Sequence, residues 1–335
     1  MHTSPNALIR MRGPIFTTSR SSIGGQAWPR SLVALLFMTS FLLASQTARG
    51  QGGQLGGGLG GFEPAVSYPN EGYYTALFVY RDGDLERAVE LFEQANRRTR
   101  KDINGQWIDA IPVYAMMAEC YWHLGDMASV RRSVDSAFQL AIRHRGWLAK
   151  PIWETVLNTS KQVARPMGLW PEATAVNRLP ILDRMQYRSG QRLTEQALSN
   201  ARGAFEEANI KVIDIVEVMR GLAIASYRRR MLMGPLADQD SLATELIEST
   251  KYPAGLQLPI ARNLIGAMRT AEKFSSRQDT TVVQEAAGYA MFSGGAHPLT
   301  PLTLMCQASA IAGSEQPATA VAIAGNAAHT AASLA

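Results

Sequence analysis

The sequence predicts an all-α protein built from antiparallel helical hairpins, and three observations carry that expectation. Apolar residues recur at helical spacing on both sides of a Gly-centred turn from residue 70 onward. The pattern of that hairpin returns 42 residues further along the chain. A fainter pattern near the C-terminus returns after 37 residues. Composition is compatible: 46% of the 335 residues are apolar, 18% are charged and only 2 are Cys. That excludes a disulfide-stapled miniprotein and wholesale disorder.

The N-terminus reads as an address rather than a fold. Residues 1–50 hold five Arg and no acid, so the formal charge of +5 belongs to them and the rest of the chain is balanced. Such a distribution gives no warrant for a nucleic-acid surface. Ser31–Ala44 is an uncharged run entered by Arg30. It is short of the roughly 20 apolar residues that span a bilayer, and it fits the apolar core of a secretory signal peptide. Ala48 and Gly50 place small side chains where a signal peptidase reads them, predicting cleavage of residues 1–50 before Gln51. Left uncleaved, residues 31–44 would anchor the chain in a membrane. Residues 51–68 follow as a Gly-rich flexible linker, so the N-terminal segment is expected to be disordered. Its G-x-G-x-x-G at Gly56, Gly58 and Gly61 lacks the flanking strand and helix that a dinucleotide site requires.

Residues 69–145 read as two hairpins. Tyr73–Tyr80 leads into Arg81-Asp82-Gly83-Asp84, and an amphipathic run with Leu85, Ala88, Val89, Phe92 and Ala95 follows. Ala76, Val79, Gly83-Asp84, Ala88, Phe92 and Ala95 are matched by Ala118, Tyr121, Gly125-Asp126, Val130, Val134 and Ala137. Small residues let two helices approach while large ones fill the neighbouring hole. The glycine supplies the backbone conformation that ends the first helix.

These segments resemble the tetratricopeptide repeat (TPR) family in their small helix-contact residues, their Gly-Asp turn and the A-x3-F element at Ala88–Phe92. Two departures stand out. The closing Pro is replaced by Arg100 and Ile142, and an eight-residue excess, Ile103–Ala110, separates the units. The resemblance implies TPR-like hairpins stacked into an α-solenoid, whose first helices line a concave groove. On that mapping the groove presents Tyr73, Leu77 and Tyr80 from one unit and Glu119, Trp122 and His123 from the next. Chaperone-binding members hold a peptide carboxylate with Lys and Asn on this face; here it is aromatic with one acid. Two readings stay open: the aromatics anchor an apolar peptide, or another piece of this chain covers the groove.

Residues 146–190 break the rhythm with Gly146, Pro151, Pro166, Gly168, Pro171 and Pro180 around Trp147, Trp153 and Trp170. They predict an irregular insertion, either docked through its Trp side chains or open to an apolar partner or glycan. Ile152, Val156, Leu157 and Val163 suggest a short helix after Pro151. Residues 191–255 read as a helical middle segment. One stripe holds Leu193, Ala197, Ala201, Ala204, Phe205 and Ala208. Ile210–Tyr227 has the Val/Ile content of a strand, but its length and lack of turn residues favour a buried helix. Arg228-Arg229-Arg230 closes it as a solvated end that complements the helix dipole. Residues 256–335 read as two degenerate Ala-rich hairpins around Gly294-Gly295, with Pro259 and Pro301 in helix first turns. There Ala271, Phe274, Val283, Ala287 and Ala290 are echoed by Ala308, Ile311, Ala320, Ala324 and Ala327.

Motifs that carry chemistry are scarce. The sequence has no H-E-x-x-H, P-loop, G-x-S-x-G or paired-Cys metal spacing. His123, His144, His297 and His329 are scattered, Cys120 and Cys306 read as small buried side chains, and Glu206-Glu207 and Asp238/Asp240 as solvated acids. No cofactor and no metal is expected. The expected function is that of an exported protein-protein interaction scaffold of the cell envelope, periplasmic or secreted. Its partner would be another protein or peptide, with no nucleic acid, and membrane contact only through an uncleaved N-terminus. The alternatives are a helical envelope enzyme or glycan-binding protein with its site in residues 146–180, and a membrane-anchored structural protein.

Overall fold

The structure is a computed structural model that describes residues 67–156, 179, 181, 184–190, 209–290, 296–312 and 316–334. The expected signal peptide, most of the Gly-rich linker, Trp170, the stripe from Leu193 to Ala208 and Gly294-Gly295 lie outside the described residues. The described chain is mostly helical. It opens with a two-residue strand, β1 (Ser67–Tyr68), and four helices: α1 (Glu71–Arg81), α2 (Leu85–Arg97), α3 (Ala110–Leu124) and α4 (Met127–Arg143).

The two Gly-Asp turns are built alike. Gly83 and Gly125 sit at φ +87° and +81°, the left-handed region that a Cβ disfavours. The following Asp then caps the next helix: the Asp84 carboxylate accepts from Arg87 N at 3.1 Å, and Asp126 accepts from Ser129 N at 3.0 Å. The matched small and large positions Ala76, Ala88, Phe92 and Ala95 are buried, as are Ala118, Val130, Val134 and Ala137. The eight-residue excess closes a hairpin of β2 (Lys101–Asp102) and β3 (Gly105–Gln106) and then turns Trp107 and Ile108 into the core.

Strand structure intrudes where the local pattern favours helix. Residues 209–213 form β5 (Asn209–Ile213), the centre of a three-stranded sheet in the order β1-β5-β4, with β4 at Met185–Ser189. β5 runs parallel to β1 and antiparallel to β4. Its Val and Ile suit a pleated surface, but both partner strands lie far away in sequence, so no local window reveals the pairing. Asp214 then ends the strand and caps α5 (Ile215–Met233), its carboxylate accepting from Glu217 N at 2.8 Å. Within the insertion, Trp147 and Trp153 are buried against the fold, and the Trp153 indole donates to Leu148 O at 2.9 Å. A single 3-10 turn, Trp153–Thr155, follows Pro151.

A 3-10 turn (Gly234–Gln239) leads on to α6 (Ser241–Ser249), α7 (Pro259–Ser275), α8 (Asp279–Ala290), α9 (Thr300–Ala312) and α10 (Pro317–Leu334). Pro259 opens α7 and Pro301 is the second residue of α9. Each odd-numbered helix packs on the next, α3 on α5, α5 on α7 and α7 on α9, while α8 and α10 flank α9. Pro112 meets Gly221 and Glu119 meets Arg228, so α3 and α5 run parallel. Cys120 and Cys306 are buried free thiols. Among the described residues no helix is long and apolar enough to cross a membrane.

Candidate functional site

The face expected to line a groove lies against α5. Tyr73, Leu77, Tyr80 and Glu119 are buried, and Trp122 and His123 are half-buried. Tyr73, Glu119 and Trp122 meet a helix of their own chain, through Glu217 in the first case and Arg228 in the other two.

Polar chemistry holds that seam. The Tyr73 hydroxyl donates to Glu217, which also accepts from Arg220 Nη2 at 2.5 Å and Nε at 2.7 Å. Burial works to raise the Glu217 carboxyl, but the Arg220 guanidinium outweighs it and holds the group below its ordinary range. Burial and the adjacent Glu217 charge push the Tyr73 phenol well up. Tyr74 donates to Asp214 at 3.3 Å. One helical turn short of the far end, Arg228 makes a bidentate pair with Glu119, both bonds 2.7 Å, and lies over the Trp122 ring at 4.6 Å. His123 sits 3.8 Å from Glu119, and burial lowers its imidazole.

The arginine triplet is therefore no solvated helix end. Arg228 and Arg229 are each 5% exposed. Arg229 pairs with Asp240 and Asp135, and Arg230 with Asp279 at 2.9 Å. Asp240, expected in a solvated loop, is buried beneath Arg229 because the 3-10 turn after α5 folds back over it. A sequence signal existed: α5 is apolar around most of its circumference, so charges within it must be buried and partnered. Asp135 and Glu217 carry no local signal, and Asp240 reads as a solvated acid, because their partners come from remote segments or from an i,i+3 pair that usually faces water.

An open cleft lies on the opposite side of α3. Its volume is about 270 Å³, and Glu93, Tyr114, Met117, Tyr121, Ser129 and Arg132 line it. α2, α3 and α4 contribute its walls and floor. Tyr121 donates to Glu93 at 3.2 Å, Tyr114 to Gln106 at 2.8 Å and Arg132 to Ser129 Oγ at 2.8 Å. Two amphipathic rings, a thioether and one charge of each sign thus border a space that suits a single anchoring side chain.

No family model, curated protein or solved structure matches this chain. The site therefore rests on its own geometry. Among the described residues no three His, Cys, Asp or Glu side chains converge as a metal site.

Burial shifts two titratable groups away from the seam in opposite directions. Glu272 on α7 is fully buried, and burial pushes its carboxyl up to about 7. Thr250 Oγ1 lies 2.5 Å from Glu272 Oε2 and 3.0 Å from Leu246 O. A hydroxyl has one proton for these two acceptors, so a protonated Glu272 donating to Thr250 satisfies both contacts. His297 has the opposite sense: burial lowers it to about 4, with Leu299 N donating to Nδ1 at 3.1 Å. A carboxyl raised in the folded state loses stability as pH climbs from its unfolded value, near 4.5, through 7. Glu272→Gln keeps the donor to Thr250 and removes the titration. The variant is expected to exceed wild type by on the order of 2–3 kcal/mol at pH 8 and by little at pH 4.5, measured by urea unfolding. Equal gain at both pH values would show that Glu272 is already ionised in the fold. His297 gives an independent loss as pH falls from 6.5 through 4.

Proposed function

We propose that this chain is an exported helical-repeat protein of tetratricopeptide-like hairpins that holds another protein. Support for the repeat reading comes from the two Gly-Asp turns, which share glycine conformation and Asp cap, and from hairpins that each pack on their neighbours. The array is then an α-solenoid whose third first-helix, α5, fills the groove of the first two. Export rests on the Arg-led apolar run before Gln51.

The observation that carries partner binding is the cleft over α3. With the groove filled, the described surface offers the Tyr114–Tyr121–Arg132 pocket as a socket for one anchor residue, the arrangement in which few side chains supply most interface energy. Its Arg132 and Glu93 favour an anchor that pairs an aromatic or aliphatic body with a polar tip. A photo-crosslinking residue at Ser136, on the rim, is expected to capture a discrete envelope protein. Tyr121→Ala with Arg132→Glu should weaken capture by at least about tenfold in a folded variant. Undiminished capture by that variant would place the contact elsewhere.

A further inference from the structure

Residues 51–335 sum to no net charge, yet several exposed cations meet at one edge of the described fold. Where α2 and α4 end, the β2–β3 hairpin, residues 143–150 and the β4–β5 strands come together. Arg143 donates to Asn104 O at 3.1 Å, Arg100 donates to Ser189 Oγ at 3.4 Å, and Arg188 N bonds Lys150 O at 3.0 Å. Lys101, Arg143, Lys150 and Arg188 are all exposed on this edge, and none meets a carboxylate at ion-pair distance among the described residues. The Arg100 charge reaches Lys211 and, with burial, lowers its amine. Among the described residues the acids of this edge are mostly occupied: Asp109 accepts from Arg100 N at 3.0 Å, Asp102 turns inward to His144 at 3.6 Å and Glu245 pairs with Arg145, while Glu154 is exposed.

Two isoleucines stand out of the same edge. Ile103, at the tip of the β2–β3 hairpin, is 62% exposed, and Ile210, opposite Arg188 in the sheet register, is 57% exposed. The local aromatics Trp107, Trp147, Trp153 and Tyr187 are buried, so the described edge has no stacking platform for bases. Chain direction adds a further point. The described residues begin at this sheet with β1, downstream of the apolar run Ser31–Ala44 in sequence.

From these juxtaposed features we infer that the Lys101–Arg143–Lys150–Arg188 edge is a docking surface for an anionic phospholipid membrane. Phosphate headgroups neutralise the four cations, and Ile103 and Ile210 enter the headgroup boundary. The contact is peripheral and does not depend on a spanning helix. It orients the array with the sheet edge toward the lipid and the Gly83 and Gly125 turns away from it.

The test is flotation of the full chain with phosphatidylcholine vesicles, with and without phosphatidylglycerol. The readout is the excess binding to the anionic vesicles, which cancels any charge-independent insertion of residues 31–44. Lys101→Glu/Lys150→Glu/Arg188→Glu is expected to cut that excess by about two orders of magnitude. Ile103→Ser/Ile210→Ser should cut it by about tenfold at unchanged charge. Raising salt from about 0.1 M to 1 M should abolish most of it. Far-ultraviolet circular dichroism identifies a variant that is misfolded, and the serine pair, which touches no buried contact, then decides alone. An excess that persists in folded charge variants would assign it to the N-terminal arginines and overturn the inference. Retention of nucleic acid in place of anionic vesicles would overturn it as well.

Discussion

Arg228→Met is expected to destabilise the fold by about 3–5 kcal/mol, because it leaves the Glu119 carboxylate buried without its bidentate partner. Methionine preserves much of the arginine stem that packs on Trp122, so the loss reads the charge rather than the volume. Adding Glu119→Leu removes the stranded charge as well. The double variant should recover most of the loss and could equal wild type, since well-packed apolar replacements of buried pairs are often neutral or stabilising. Urea unfolding of the four proteins of the cycle measures the coupling directly. His123 offers a second readout. At present Arg228 and burial both lower its imidazole while Glu119 raises it. Without Arg228 the His123 titration should move up in the NMR spectrum. A histidine whose depression is relieved costs the fold less as pH falls below its unfolded pKa. The Arg228→Met deficit should therefore shrink at acid pH. Two single variants that each cost under about 1 kcal/mol would mean that the pair is solvated and that α5 does not pack tightly on α3.

The close approach of α5 to α3 yields the second large effect. A Cβ added to Gly221 would lie 2.6 Å from Pro112 Cα, a backbone atom that cannot swing aside. Alanine favours a helix over glycine by about 1 kcal/mol in itself, yet Gly221→Ala is expected to lose about 1–3 kcal/mol through overpacking. Gly221→Val should lose more, since its branches enter the same contact. Gly288 on α8 is the internal contrast, because nothing lies within 4 Å of its added Cβ. Gly288→Ala should gain roughly 0.5–1 kcal/mol. Thermal or urea unfolding of both variants checks the opposite signs. A stabilising Gly221→Ala would show that α3 and α5 sit further apart than Pro112 and Gly221 require.

These two contacts show why the candidate site was only half legible. The resemblance to tetratricopeptide hairpins points to Tyr73, Leu77, Tyr80 and Glu119 as one face, and all four are buried. It does not point to what covers them. Nothing in the spacing of Ile210–Tyr227 says that the helix lies on α1 and α3, because that choice depends on side-chain pairs such as Glu119–Arg228 that are 109 residues apart. The arginine triplet was misread for the same reason. A basic run at a helix end complements the dipole whether or not Asp135 and Asp240 stand over it, and only the fold brings them there. β5 shows the limit for secondary structure: Asn209–Ile213 becomes a strand because Ser67 and Met185 lie alongside it, and a lone segment carries no trace of such neighbours.

What the sequence by itself determined is local. Gly83 and Gly125 must stop their helices and Asp84 and Asp126 must start the next ones, because left-handed backbone and helix caps are decided within four residues. Small and large residues at helical spacing dictate which face of each helix is buried. Tertiary structure alone decided which helix meets that face, which arginine finds which carboxylate, and which exposed cations of the described chain become neighbours. Those outcomes depend on distances between remote segments, and only the packed chain sets them.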